Sequence, residues 1–357
     1  MNPAALEKFA EDNGLGSNDP TPLADVEFIA MLNSRMAHPD NEVPEDVPVY
    51  SLAKTPICYK ANITLIESNM KTGKTAFVSA MMAACYSQPG ADTLGWESNN
   101  LAGHAVVHVD TEQSRADLHT VIKRVHKRAG ADIFPSWLQS CRLRGMSISD
   151  LKRAVETLLK TASTKFGGVH SLIIDGSGDF VTTVNSPEES QAIVAWLEKL
   201  AEEYDMPVIT ILHLNPVTQK GQGTKARGHL GTHLYMKAEH VLRLDKDKDE
   251  ITTVSTAFAR KAPLPKDSQP CFKYCVEKGR HVSTAKANTL PVEKDVALRD
   301  LAKSVFNDTG GVPLRYTDIR EKVASIRDIK AKSAEPLVKA LIHKGFIRKA
   351  GEGYVLS

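Results

Sequence analysis

No apolar run in the sequence approaches the roughly 18 to 20 residues that a membrane-crossing helix requires. The acidic, polar first residues also lack the basic and then apolar pattern of a secretory leader. The expectation is a cytoplasmic protein with no membrane partner. Cysteine is scarce, with five in the chain (Cys58, Cys85, Cys141, Cys271 and Cys275). An odd, scattered set fits reduced thiols better than a disulfide framework. Cys271 and Cys275 share one face of a strand-like run, but no second pair exists to complete a zinc site, so both read as packing. His229 and His233 sit four apart, as helical metal ligands do, yet no third ligand accompanies them. A dominant charge is missing as well. The net charge is +2, too small to argue for nucleic acid, so any such argument must come from where the charges lie. A hydrophobic content of 42% and a charged content of 25% are those of an ordinary globular protein. The length suits one large domain and one small one.

What is present begins at residues 63–75. The apolar run 63–66 predicts a buried strand, followed by a small polar turn and a helical pattern over 74–86. Strand, turn and helix are the setting of a phosphate-binding loop. The first helical turn carries N–H groups with no intrahelical partner, and the helix dipole favours negative charge there. Ser68, Asn69, Met70, Lys71, Thr72 and Gly73 form the candidate cradle for ATP. Gly73 lets the backbone approach the phosphates, Lys74 can reach the β- and γ-phosphates, and the Thr75 hydroxyl can bind Mg²⁺. Ser68 stands where the loop pattern has its first glycine, so only the Gly-Lys-Thr half is intact. The plainer reading is a strand-to-helix turn with an exposed lysine.

Apolar, β-branched runs then alternate with helical stretches as far as residue 212. Strands are expected near 105–109, 141–144, 171–174 and 208–212, and helices over 114–128, 148–161 and 187–204. That alternation predicts an α/β domain with a mostly parallel sheet covered on both faces. Ser186, Pro187 and Glu189 predict a capped helix start with a capping box. Beyond 239, strand follows strand (241–244, 251–255, 271–275), which suits an antiparallel extension of the sheet. The chain divides into an extension with one short helix and a Pro-rich linker (1–48), an α/β domain (49–285) and a small unit (286–357). That last unit reads as three helices and a terminal hairpin, the pattern of a winged helix. Residues 291–357 hold 13 Lys and Arg against 9 Asp and Glu, an excess of four. The excess gathers on the third helix and hairpin and includes Lys332 and Lys339.

Further motifs follow the loop in order. Glu112 ends a strand and is a candidate general base at the carboxyl edge of the sheet, or else a helix-start acid. Asp175 ends the apolar run 172–174 and is a candidate Mg²⁺ holder acting through its water shell. Asp179 is a weaker second acid. His213 tips the next strand, where a polar group can sense the γ-phosphate. The Gln-, Lys- and Gly-rich stretch 216–231 carries Lys220, Lys225 and Arg227 and is too long for an idle connection. Arg227, or Arg260 farther on, could act in trans on a neighbour's nucleotide. The alternative for both is a solvated basic surface.

These motifs, at 68–75, 109–112, 173–175, 212–215 and 227–228, resemble the RecA-like ATPases of the RepA hexameric-helicase type, in the AAA group, over residues 50–280. The resemblance implies a catalytic base at Glu112, a sensor at His213 and a trans-acting finger at Arg227. It also implies ATP hydrolysis with Mg²⁺ in a homo-oligomeric ring such as a hexamer. Single-stranded DNA would run along the loop after His213, through Lys220 and Lys225. Duplex DNA would meet the winged helix through Lys332 and Lys339. A nucleotide-dependent DNA-binding regulator with slow or no hydrolysis is the alternative, favoured by Ser68.

Overall fold

The computed structural model describes residues 23–40, 45–214, 228–285, 291–307, 309, 312–351 and 353–356. The chain separates into a unit of Met1–Asp46 and a unit of Val47–Ser357. In the first unit, helix α1 spans Leu23–Ser34, against an expected helix near 24–36.

The second unit opens with β1 (Pro48–Leu52) and β2 (Thr55–Tyr59), then the loop strand β3 (Ile63–Ser68) and helix α2 (Lys74–Ala84). Strands β4 (Trp96–Ser98) and β5 (Ala105–Asp110), α3 (Arg115–Ala129), β6 (Leu138–Arg142) and α4 (Ile148–Phe166) follow. Next come β7 (Val169–Asp175), a short 3₁₀ turn (Ser177–Phe180), α5 (Pro187–Glu203), β8 (Val208–His213) and α6 (Gly228–Lys237). Strands β9 (His240–Lys246), β10 (Thr252–Ala259), β11 (Cys271–Cys275) and β12 (Arg280–Ser283) complete the α/β part.

Nine strands form one sheet in the order β12-β11-β10-β9-β3-β8-β7-β5-β6. The segment from β9 to β6 is parallel, and β10, β11 and β12 extend it antiparallel. Both expectations hold. β3 lies at the centre with every residue buried, because helices cover both faces and a doubly covered strand has no water-facing side. One face packs Phe77, Met81, Val125 and Phe272 with β1. The other packs Leu151, Leu159, Ile193 and Leu234. The chain crosses between these layers at the carboxyl ends of the strands, and that edge collects the polar side chains.

Three local findings differ from the sequence reading. Strand β6 is Leu138–Arg142 rather than 141–144, since the Leu138 side chain supplies the buried anchor. Strands β1, β2 and β4 form a separate antiparallel sheet that the pattern did not reveal. Ser186 does cap α5 through the Glu189 N–H at 3.2 Å. The Glu189 carboxylate instead accepts from the Thr182 N–H at 2.7 Å, tying down the preceding loop.

The C-terminal part has its own core of Leu301, Val305, Ile319, Val323, Val338, Leu341 and Ile347. It is built from α7 (Pro291–Phe306), α8 (Tyr316–Arg327), α9 (Ala331–His343) and a hairpin of β13 (Ile347–Ala350) and β14 (Gly353–Leu356). Leu314, between α7 and α8, bridges to Tyr354 and adds a third short strand position.

Candidate functional site

The turn after β3 is held from inside by its own side chains. The Thr72 hydroxyl donates to Ser68 Oγ at 2.7 Å, and Ser68 Oγ donates to the Asn69 carbonyl at 2.9 Å. The turn can close only with left-handed backbone at Lys71 (φ 63°) and Gly73 (φ 90°). Gly73 has a second reason to be glycine. A Cβ there would stand 2.8 Å from the Phe272 ring, which is buried and stacked on Phe77 at 5.9 Å. The first turn of α2 therefore presents bare N–H groups to a cleft of about 490 Å³.

Lys74, Glu112, Asp175 and His213 all line that cleft. They arrive from the ends of different elements, which pair in the order β3, β8, β7 and β5. The Lys74 Nζ donates to the Asn69 carbonyl at 3.3 Å and meets His213 Nδ1 at 3.0 Å. His213 Nε2 faces Glu112 Oε1 at 3.6 Å. A lysine ammonium is donor only, so His213 accepts at Nδ1 and carries its proton at Nε2, towards Glu112. Burial pushes the Lys74 ammonium below its ordinary value, against the pull of Asp175 and Glu112. His213, and then Lys74, hold Glu112 below the usual glutamate value despite burial.

Asp175 sits deeper. Burial, with the Asp110 and Glu112 carboxylates nearby, pushes it up to about 7. The following turn has Gly176 at φ 104°, where a Cβ would lie 2.1 Å from Thr111 Oγ1. Thr111 N–H donates to the Asp175 carbonyl at 3.1 Å, locking the two strand ends together. Asp110 is fully buried and accepts from the Glu112 N–H (3.0 Å), the Gln113 N–H (2.7 Å) and Gln113 Nε2 (2.7 Å). It aims the turn that carries Glu112. The sequence reading passed over Asp110, although it lies in the same short motif.

The sequence also gave no sign of the cleft's far wall. Arg124 and Arg128 of α3, Lys246 of β9, and Tyr274, Arg280 and His281 from the antiparallel extension line it. Arg128 is anchored by the Asp92 and His281 carbonyls at 2.5 and 2.7 Å. Lys246 reaches the Lys71 carbonyl at 3.4 Å. The wall is basic and suits a polyanion. The pairing of β9 to β12 brings Lys246, Tyr274, Arg280 and His281 here.

Glu112 and His213 also line a second cavity of about 400 Å³, shared with Asp179 and the 181–185 loop. Arg260 lies on neither cavity. Its guanidinium donates to the Ala238 carbonyl at 3.2 Å and to the Met236 carbonyl, closing the end of α6. Lys220, Lys225 and Arg227 lie outside the described residues. Lys332 and Lys339 are exposed on α9, and Lys339 pairs with Glu335 at 3.3 Å. All five cysteines are free thiols, and no helix among the described residues is long and apolar enough to cross a membrane.

Residues 51–219 match the AAA domain family model. Among solved structures the chain is similar to the RadB recombinase, at 17% identity and a TM-score of 0.43, over 64% of this chain and 93% of that one. Comparison with curated proteins gave no match. The matched segment carries the Lys74 turn, Glu112, Asp175 and His213.

Proposed function

We propose that the chain is an ATP-hydrolysing, DNA-associated motor of the RepA hexameric-helicase type that works as a ring. The carrying observation is the convergence of Lys74, Glu112, Asp175 and His213 on one cleft at the carboxyl edge of the sheet. The bare N–H groups of α2 and Lys74 hold the triphosphate. Glu112, kept ionised at neutral pH beside His213, takes the proton of the attacking water. Lys74 leaves His213 for the γ-phosphate, so His213 reports phosphate occupancy to the loop that follows it.

The donor set fits Mg²⁺. Among the described residues none donates a hydrogen bond to the Asp175 carboxylate, and Thr75 lines the same cleft; carboxylate and hydroxyl make an all-oxygen pair of the kind that Mg²⁺ prefers. Bound there, Mg²⁺ would neutralise charge on the phosphate oxygens.

The second cavity gives an approach to Glu112 and His213 from outside the nucleotide cleft. A neighbouring subunit's Arg227 would enter there. The hydrogen bonds of Arg260 make it the weaker candidate. In the C-terminal part, three helices, the Leu314 bridge and the hairpin support a winged helix. Lys332 and Lys339 are seven residues apart, two helical turns, and face one side of α9. That face would meet duplex phosphates, and Lys220 and Lys225 would grip single-stranded DNA.

A nucleotide-dependent DNA-binding regulator is the second reading. It is supported by the Ser68–Thr72 hydrogen bond, which occupies the turn's first position where a glycine would leave space. ATP turnover with and without single-stranded DNA, read beside the sedimentation of the nucleotide-bound chain, tests the two. A motor turns over faster on DNA as a ring. Nucleotide-dependent DNA binding without turnover would favour the regulator, and no response of either kind would remove both.

A further inference from the structure

Behind the nucleotide cleft lies a polar cluster that includes Asp175 and whose histidine no step above uses. His108 and Asp110 are two residues apart on β5 and so share one face of the sheet. Asp110 stands in register with Asp175 on the adjacent β7. One ligand atom from each of His108, Asp110 and Asp175 lies within 4.8 Å of the other two. All three residues are buried, His108 to 1% exposure. The imidazole is fixed at one end, where Nδ1 meets Ser140 Oγ at 2.8 Å. Its other nitrogen, Nε2, is buried with no hydrogen-bond partner among the described residues. Asp110 is fixed by its three donors from Glu112 and Gln113, and among the described residues none donates to the Asp175 carboxylate.

A buried ring nitrogen without a partner, on an imidazole that lies beside two carboxylates, is an incomplete polar network. We propose that His108, Asp110 and Asp175 form a second cation site, selective for Zn²⁺ over Mg²⁺. Selectivity follows from the imidazole, since nitrogen ligands suit zinc and its neighbours while Mg²⁺ takes oxygen. Metal–ligand bonds of about 2.0 to 2.2 Å put ligand atoms roughly 3 to 4.3 Å apart, so capture draws the cluster slightly inward. Asp175, the carboxylate with no hydrogen bond, makes that movement. Ser140 plays the outer part that orients metal-bound histidines. Asp175 is shared with the nucleotide reading, one oxygen to each side, but the site needs no nucleotide.

The test is a Zn²⁺ titration of the chelator-treated full chain without nucleotide, against a competing metal dye, repeated with Mg²⁺. One tight Zn²⁺ equivalent is expected, with Mg²⁺ at least 100-fold weaker. His108→Phe removes the tight equivalent. If that variant fails to fold, Ser140→Ala keeps the ligands and removes only the anchor, and it weakens Zn²⁺ by about 10- to 100-fold. Equal Zn²⁺ affinity in the wild type and whichever variant folds, or no tight equivalent in the wild type, overturns the site. ATP binding is scored separately on the same samples: its absence beside retained Zn²⁺ binding would sink the nucleotide reading alone.

Discussion

Lys74 and His213 touch across two neighbouring strand ends, with Nζ 3.0 Å from Nδ1. The contact ties the lysine of the phosphate turn to the tip of the strand that leads into the 215–227 stretch. On the proposed reading, a γ-phosphate would compete with His213 for the same ammonium, coupling occupancy of the cleft to the state of that strand tip. Lys74→Ala removes both functions. It should weaken ATP binding by about 10- to 100-fold, as loss of a charge-assisted hydrogen bond of roughly 1.5 to 3 kcal/mol implies, and abolish turnover. Equilibrium binding and steady-state hydrolysis check this.

Glu112 is held ionised by His213 and Lys74. Glu112→Gln keeps the shape and loses the base, so ATP affinity should stay within about threefold while turnover falls by about 10²- to 10⁴-fold. Single-turnover kinetics separate these. A variant that still hydrolyses at near wild-type rate requires another base.

Asp175 titrates near 7 in the folded chain against an ordinary 3.8. The folded state therefore holds a proton that the unfolded chain has released, and stability falls as pH rises from about 4 to 7. Asp175→Asn removes the penalty. Without ligands it should melt higher than the wild type at pH 8, by on the order of 1 to 4 kcal/mol, and show no advantage near pH 4. Thermal melts across that range check the sign.

Gly73→Ala meets two obstacles, the left-handed backbone and the Phe272 ring 2.8 Å away. A loss of about 1 to 3 kcal/mol is expected. Adding Phe272→Leu should recover only the steric part, because the backbone strain remains. Chemical denaturation of the single and double variants measures this.

Neutralising Lys332 and Lys339 together should weaken duplex binding at every sequence tested. It should also flatten the dependence of log affinity on log salt by about 1.8, at roughly 0.9 per lost phosphate contact. An unchanged slope would give the α9 face to a protein partner.

The strand before Lys74, the parallel sheet and the acids at 112 and 175 were legible because each is a local signal: an apolar run with a polar end. The fully buried β3 and β5, and β7 buried but for His170, give that signal most strongly. The basic far wall was not legible. Lys246, Tyr274 and Arg280 face the cleft only through antiparallel pairings set by long-range register. The small sheet of β1, β2 and β4 escaped because its strands have five residues or fewer, and both β1 and β2 contain proline. Asp110 was hidden by its neighbour: with two acids so close, sequence alone cannot say which one the turn exposes and which it buries.

The most direct measurement is binding of Mg²⁺–ATP to the purified chain, wild type beside Lys74→Ala and Asp175→Asn. Saturable binding by the wild type that drops in both variants, with folding intact, is the predicted result. Absence of wild-type binding, or equal affinity in all three, would contradict a nucleotide site where β3 gives way to α2.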